Sequence, residues 1–413
     1  MLPAAHLQTL TELCNTPVAP YREQHAFAAV LSWADATHRR SHLAMRRDPA
    51  GNVYLDYRFG TAVSALPPLV IEAHMDHPGF LATGVNAQGQ FTARFRGAVR
   101  PSHFRGATAA FWLNDPPATG SIAPVRARGR WVPAKIIEAV ASQVLPGNST
   151  DVTFEPPPVA IPPGTLGMWH LPDALVQGEL FCARVCDDLA GVAAALCMLD
   201  DLIAQQIDAP ITVLLTRAEE VAFAGAIAVA ENGWIPPGAR VIGLETSKGS
   251  AYAPQGGGPI VRVGDRIGIF SPGLTHFISQ AAAFIGDDDP SFHFQRKLMD
   301  GGTCNSTTFA AFGYDSAGLC IALGNYHNMT AAGELGYGQA PTCGPGIGSE
   351  TIHLGDFDGL VRTLVSVARR YPTYQPGFAA VRGQLSQRHA VEQKQPLYST
   401  SDQPTAAEYL PKT

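Results

Sequence analysis

The apolar positions of this chain fall into two patterns that alternate along its length. Short runs apolar at nearly every position, rich in Val, Ile and Leu, occur at Pro68 to Ala73, Ile211 to Thr216, Val241 to Glu245 and Ala317 to Leu323. Runs of this length and composition are what strands buried on both faces require. Between them lie stretches with helical periodicity: Leu189 to Ala204, Phe223 to Glu231, Leu274 to Ile285, Ser306 to Phe312 and Phe357 to Arg370. An opening helix over about Ala26 to Ala36 is expected ahead of a first strand at Val53 to Tyr57. Strands alternating with helices predict an α/β fold, a mixed and largely parallel sheet sandwiched by helices.

Residues 83–178 break this rhythm. Gly and Pro punctuate them, short alternating runs such as Gln90 to Phe95 and Ala109 to Leu113 replace the helical period, and Glu155 to Pro163 is rich in Pro. This predicts a small β-rich domain inserted into the α/β domain, which is therefore discontinuous, 1–82 and 179–375. Residues 376–413, rich in Gln, Ser and Pro, are expected to form an extended or loosely ordered tail. The apolar tracts Ala109 to Leu113 and Trp131 to Ile137 are candidates either for subunit contacts or for the core of the inserted domain.

Composition adds bounds. A chain of 413 residues exceeds the size at which one core stops growing, in keeping with two domains. With 46% hydrophobic and 15% charged residues it can bury a large core, and a formal charge of −6 with no basic run argues against a nucleic-acid partner. No stretch is apolar for long enough to span a bilayer and the N-terminus lacks a signal-peptide pattern, so no membrane partner and a cytoplasmic location are expected. Seven cysteines in apolar context read as reduced core thiols. The one close pair, Cys182 and Cys186, lacks partners for a metal site and reads as packed thiols.

Acids and histidines then cluster where the apolar strands end: His74 and Asp76 in Ala-His-Met-Asp-His, Asp187 in Cys-Asp-Asp-Leu-Ala-Gly, Glu219 and Glu220 in Ala-Glu-Glu-Val, Glu245 in Gly-Leu-Glu-Thr, and His327 in Asn-Tyr-His-Asn. Each alone has a plain structural explanation. A histidine at a strand end is usually a hydrogen-bonded structural residue, an aspartate before a helix is a common cap, and Glu245 could pair with Lys248. Glu219 and Glu220 weigh more, because two consecutive acids after a buried strand cannot both enter a core without cations, although a solvated turn would also accept them. Together, oxygen and imidazole groups on rigid strand ends suit a hydrolytic site with two divalent cations. A carboxylate two residues from a ligating histidine can fix its ring, and one of two adjacent glutamates can ligate while the other acts as a base.

Ala73-His74-Met75-Asp76 with Gly79-Phe80, Asp187-Asp188-Leu189-Ala190-Gly191, Glu219-Glu220-Val221 with Gly225-Ala226, and the opening Leu-Thr-Glu-Leu-Cys-Asn-Thr-Pro-Val-Ala-Pro-Tyr-Arg-Glu resemble metallopeptidase family forty-two, the tetrahedral, glutamyl and deblocking aminopeptidases. The likeness runs to about Tyr371. It implies a zinc-peptidase-like catalytic domain, a short peptide substrate, and two divalent metal ions per chain, zinc in the first place with cobalt or manganese as alternatives. It further implies that His74, Asp187 and Glu245 hold one ion, and that Asp187, Glu220 and His327 hold the other. Asp76 would then orient His74, and Glu219 would be the general base. In this family the inserted β-rich domain joins subunits, so a homo-oligomer, dimer or larger, is expected. The chain departs from the family at Glu245, where aspartate is usual, at His77, where glutamate is usual, and at Gly302-Thr303-Cys304, where Gly-Thr-Asp is usual.

Two other readings stay open on sequence alone. A metallo-carboxypeptidase or N-acyl amino acid deacylase uses a similar set of ligands, often with glutamate at the position of Glu245, but inserts its extra domain after the glutamate pair. Such an enzyme needs a cation for the substrate carboxylate, for which Arg296 and Lys297 are the candidates. A catalytically silent scaffold or binding protein is the third reading.

Overall fold

The computed structural model describes residues 2–58, 66–114, 128–143, 149–330, 345–375 and 378–390. Eight strands form the central sheet, in the spatial order Leu43–Arg47, Val53–Tyr57, Ile211–Thr216, Leu69–His74, Arg240–Lys248, Asp315–Leu323, Ile260–Asp265 and Gln295–Met299. The four central members, from Ile211–Thr216 to Asp315–Leu323, run parallel. Antiparallel pairings at Val53–Tyr57 and Ile260–Asp265 make the sheet mixed. The chain thus has the α/β architecture that the alternation of apolar runs and helical stretches predicts.

One face of the sheet is covered by Leu189–Ala204, which packs against the sheet, Ala4–Cys14 and Leu354–Arg370. From Leu189 to Leu199 every residue of that helix is buried, the behaviour expected of a segment with no solvent face, and Asp200 and Asp201 appear only near its C-terminal end. The opposite face packs Tyr54, Val70, Leu214 and Val241 against Ala226, Val229 and Phe309 of the helices Ala224–Asn232 and Asn305–Ala311. Truncating a leucine in the first of these layers to alanine typically costs about 2–5 kcal/mol. The sheet is therefore a stiff platform, and everything at the C-terminal end of its parallel strands is held by that platform.

The inserted segment is a closed six-stranded barrel, Gly79–Val85, Phe91–Arg96, Ser149–Phe154, Gly129–Ala141, Thr108–Asn114 and Leu166–Trp169 in spatial order. Its interior is filled by Phe80, Phe91, Phe95, Phe104, Phe111, Phe154 and Trp169, mostly in edge-to-face contacts. A barrel this small is a packed core with no lumen. It starts within the Gly79–Val85 strand, ahead of residue 83, because Phe80 already points inward. Ala109, Phe111, Val132, Ala134 and Ile136 are likewise interior, so the two apolar tracts serve mainly as this core. Val85, Ile137 and Val140 face outward and are at least half exposed.

Two edge features depart from expectation. Val53–Tyr57 is not the first strand: Leu43–Arg47 precedes it and pairs antiparallel with it, and its largely exposed Leu-Ala-Met-Arg-Arg carries no apolar signature. Within the segment expected as an extended or loosely ordered tail, Ala379–Arg388 is helical, while 376–377 and 391–413 lie outside the described residues. All six described cysteines are free and buried, and Cys186 lies beyond the strand Leu180–Ala183 that carries Cys182.

Candidate metal centre

Parallel pairing brings the acids to one edge. His74 ends its strand directly beside Thr216, so Glu219 and Glu220, just past that strand, come back over His74. On the other side, Gly243 pairs with Glu72, which puts Glu245 level with His74. Glu245 therefore lies inside its strand, which continues to Lys248, and does not close it. His327 follows the next parallel strand in the short turn Tyr326–Asn328, and Asp187 precedes the buried helix Leu189–Ala204. This is the crevice outside the carboxyl ends of the strands where open α/β sheets bind ligands.

All seven residues singled out in the sequence are brought together here, each nine-tenths buried or more apart from the half-buried Glu245. Three groups have donor atoms within 4.8 Å of one another: His74, Asp187 and Glu245; Asp187, Glu220 and His327; and His74, Glu219 and Glu220. Asp187 stands between the histidines, with Oδ1 3.4 Å from His74 Nε2 and Oδ2 3.6 Å from His327 Nε2. Glu220 Oε1 lies 3.2 Å from His327 Nε2, and Glu219 Oε2 lies 3.9 Å from His74 Nε2.

The histidines are pre-aimed. His74 Nδ1 donates to the Asp76 carbonyl at 3.1 Å, and His327 Nδ1 donates to the Ala98 carbonyl at 3.1 Å. A carbonyl can only accept, so each ring turns Nε2 toward the carboxylates, the tautomer a cation needs. Ala98 comes from the loop after the barrel strand Phe91–Arg96, which ties the barrel to the centre.

Asp76 does more than was expected of it. Its Oδ1 lies 3.4 Å from His74 Nδ1, but its two oxygens also accept the backbone N–H of Glu219 at 2.9 Å and of Glu220 at 3.2 Å. It thereby clamps the turn that displays the glutamate pair. Glu23 holds the preceding residues, accepting from Ala218 N–H and Arg217 Nε. Arg217, the nearest cation in sequence, is thus engaged behind the turn. The turn needs such clamps: Ala218, Ala222 and Phe223 have positive φ, as do Asn325, His327 and Asn328 around the second histidine. Non-glycine residues in that region cost roughly 1–3 kcal/mol each and persist only when neighbours over-determine them.

Sequence reasoning missed several supports. Glu350 accepts the N–H of Cys186 at 2.7 Å and of Asp187 at 3.0 Å. His77 bridges the Asp187 carbonyl at 2.7 Å and Asn328 Oδ1 at 3.0 Å. Gly191 is required beside Asp188, since a Cβ there would lie 2.3 Å from its carboxylate. Asp188 occupies the N-cap position without capping the helix. Glu350 and Asn328 stand in segments with no periodicity to flag them.

The electrostatics are those of too many acids in too little water. Burial pushes the Glu219 and Asp188 carboxyls well above their ordinary range and Glu245 up to about 8, neighbouring carboxylates adding to each. Against burial, which favours the neutral ring, Glu219, Asp187 and Asp76 hold His74 well above its ordinary value, and Glu220 and Asp187 hold His327 up to about 9. His74 Nε2, Asp187 Oδ1 and Glu220 Oε1 are buried with no hydrogen-bond partner among the described residues. Buried polar atoms are rarely left so. Orphaned donors converging on shared points fit divalent cations, which would satisfy the lone pairs and offset the charge.

The fold with its inserted barrel and this centre define a metallopeptidase. The chain belongs to the M42 glutamyl aminopeptidase family, whose model matches residues 60–332. No curated protein sequence matches it. Among solved structures, the chain is similar to an aminopeptidase from the archaeon Desulfurococcus kamchatkensis, 16% identical, covering 90% of this chain and 96% of that one with a TM-score of 0.66. It is also similar to the Pyrococcus horikoshii TET1 peptidase, which can assemble into a tetrahedron or a large octahedral shell, at 16% identity, 88% and 99% coverage and a TM-score of 0.62. A TET aminopeptidase from a marine sediment thaumarchaeote gives 15% identity, 92% and 99% coverage and a TM-score of 0.65. At these identities the likeness establishes the fold. Among the described residues no helix is long and apolar enough to cross a membrane.

Proposed function

We propose that this peptidase is an aminopeptidase that removes the N-terminal residue from short peptides with two divalent cations and Glu219 as general base. The observation that carries the reading is the pair of ligand groups, His74–Asp187–Glu245 and Asp187–Glu220–His327, which share only Asp187. Cations bound there would act as Lewis acids, making an attacking water more acidic and polarising the scissile carbonyl. Imidazole with carboxylate suits zinc, and also cobalt or manganese.

The chain's own residues supply the rest. Glu219 takes a proton from the water as its oxygen adds to the carbonyl carbon, and returns it to the departing amine nitrogen as the C–N bond breaks. Burial and the neighbouring carboxylates favour its protonated form, and cations bound beside it would restore the carboxylate that accepts the proton. Asp76 keeps Glu219 in position through the backbone rather than by touching substrate. The surplus of carboxylates favours a free α-amino group on the substrate.

The test is directional. Metal-loaded enzyme should cleave a free-amine peptide with an amidated C-terminus and fail on its N-acetylated form. Faster cleavage of an acetylated peptide with a free carboxylate would replace this reading with the carboxypeptidase or deacylase one. The earlier clamp candidates do not favour that alternative: Arg296 is exposed, and Lys297 lies over the Tyr252 ring at 4.2 Å.

Residues 83–178 are proposed as the oligomerisation unit of a cytoplasmic homo-oligomer, supported by the outward apolar residues Val85, Ile137 and Val140. Light scattering should report at least a dimer at micromolar concentration. A monomer there removes this part of the proposal.

A further inference from the structure

We infer that the seam between the N-terminal helices and the barrel is a second peptide site, separate from the metal centre, which holds a short peptide with both termini free. Two cavities lie along this seam. One, about 410 Å³, is walled by Gln8, Glu12, Ala29 and Trp33 among others, and the next, about 560 Å³, by Arg22, Leu113, Arg130 and Pro162 among others. His25 and Trp112 are walls of both, so the two cavities meet there and form one groove. Each has the volume of an ordinary ligand cavity, and none of the proposed metal ligands lines either. Nothing in this site depends on which bond the metal centre cleaves.

Helical spacing and one barrel strand build the groove. Ala4–Cys14 supplies Gln8 and Glu12, four residues apart and so on one face, and Gln24–Ala34 supplies His25, Ala29 and Trp33 at the same spacing. Thr108–Asn114 brings Trp112 across from the barrel. The aromatic stretch is fixed in place by its neighbours. Arg39 lies over the Trp33 ring at 4.2 Å while both oxygens of Asp200 hold its guanidinium, at 2.6 and 2.7 Å. Trp112 meets His25 edge-on with centroids 6.1 Å apart, and Trp131 with centroids 5.0 Å apart.

The middle of the groove lacks hydrogen-bond partners. Trp33 Nε1 and His25 Nε2 are buried with none among the described residues. An indole N–H can only donate, and a buried one ordinarily finds an acceptor. Burial lowers the proton affinity of the His25 ring, so at pH 7 it is neutral and has one donor and one acceptor nitrogen. A backbone amide offers both a carbonyl and an N–H, and its flat plane suits walls made of rings.

The two ends lack counter-charges, and of opposite sign. At one end the exposed Glu12 accepts from Gln8 Nε2 at 3.0 Å and forms no ion pair among the described residues. At the other, Arg22 donates to the carbonyls of Gly164 and Tyr21 at 3.2 and 3.0 Å, and Arg130 is exposed. Neither arginine forms an ion pair among the described residues. An acid, then unfilled groups for an amide, then two arginines match an ammonium, a backbone amide and a carboxylate in that order. That is a short peptide laid out from its N-terminus.

The test is calorimetric titration of the metal-loaded Glu219→Gln enzyme with alanyl-phenylalanyl-alanine. One equivalent should bind at the groove, beside any that binds at the centre. Amidating the peptide's C-terminus should weaken that equivalent about tenfold, and so should Arg130→Gln, but the two losses should overlap instead of multiplying. Acetylating the N-terminus and Glu12→Gln should overlap in the same way at the other end. Both side chains are exposed, where substitutions rarely disturb folding, and matching each blocked terminus to its own residue separates the groove from the centre. Losses that multiply at either end, or binding that neither variant weakens, overturn the site. A groove covered by a second copy of the chain would bind no peptide, and that outcome overturns it as well.

Discussion

Glu219→Gln should leave about two metal ions per chain while lowering turnover by roughly a hundredfold or more, the scale of losing a general acid–base group. The side chain keeps its length and its backbone N–H stays on Asp76, so the turn has no reason to move. What disappears is a carboxylate able to hold a proton between the attack on the carbonyl and the release of the amine. The third ligand grouping, His74 with Glu219 and Glu220, provides the competing account, in which Glu219 is itself a ligand. Elemental analysis separates the two, since loss of metal in Glu219→Gln supports the ligand role and near-full activity excludes the base. Glu220→Gln is the control, expected to lose about one metal equivalent, because Glu220 Oε1 faces His327 and has no hydrogen-bond partner among the described residues.

How the site was legible follows from which residues carry their own signal. His74, Thr216 and the following glutamates stood out because their strands are buried on both faces, so the apolar runs end sharply where the polar chemistry begins. Asp187 stood out because a buried helix follows it. Glu245 was read as a strand end, but the strand continues through Thr246, Ser247 and Lys248, polar residues whose side chains line a cavity instead of a core. The strands Ile260–Asp265 and Gln295–Met299 were not read at all. The first is broken by Arg262 and Gly264, and the second alternates exposed and half-buried polar residues near the sheet edge. Missing the first strand hid Arg262, a buried cation near the centre.

The supports of the site were illegible for a different reason. Alanine is not a turn residue, yet Ala218 and Ala222 both adopt positive φ, in a turn held by the hydrogen bonds that Glu23 and Asp76 accept from its amides. Those partners lie more than a hundred residues away in sequence. Glu350 and Asn328 act on Asp187 across similar separations, directly and through His77. Local pattern can propose a ligand, but its anchoring is a property of the folded chain.

Asp187→Asn should cost both metal ions at once. One carboxylate oxygen faces His74 and the other faces His327, so the residue contributes charge to both ligand groups, and the opposing pulls of these histidines hold its carboxyl below the ordinary range even against burial. An amide keeps the shape but removes the charge, and it presents a donor NH2 to one of the two points where a lone pair is needed. Neither group then retains a full set of anionic donors. Glu219, Glu220, Glu245 and Asp188 would be left facing one another without cations, which raises the cost of keeping the centre folded around them. Wild type should therefore gain thermal stability on adding the metal, by mass action, and Asp187→Asn should gain little. Elemental analysis and a metal-dependent melting curve on the same preparations decide the matter. Loss of a single ion, with the melting temperature still rising on metal addition, would make Asp187 a terminal ligand of one site and leave the other to be built without it.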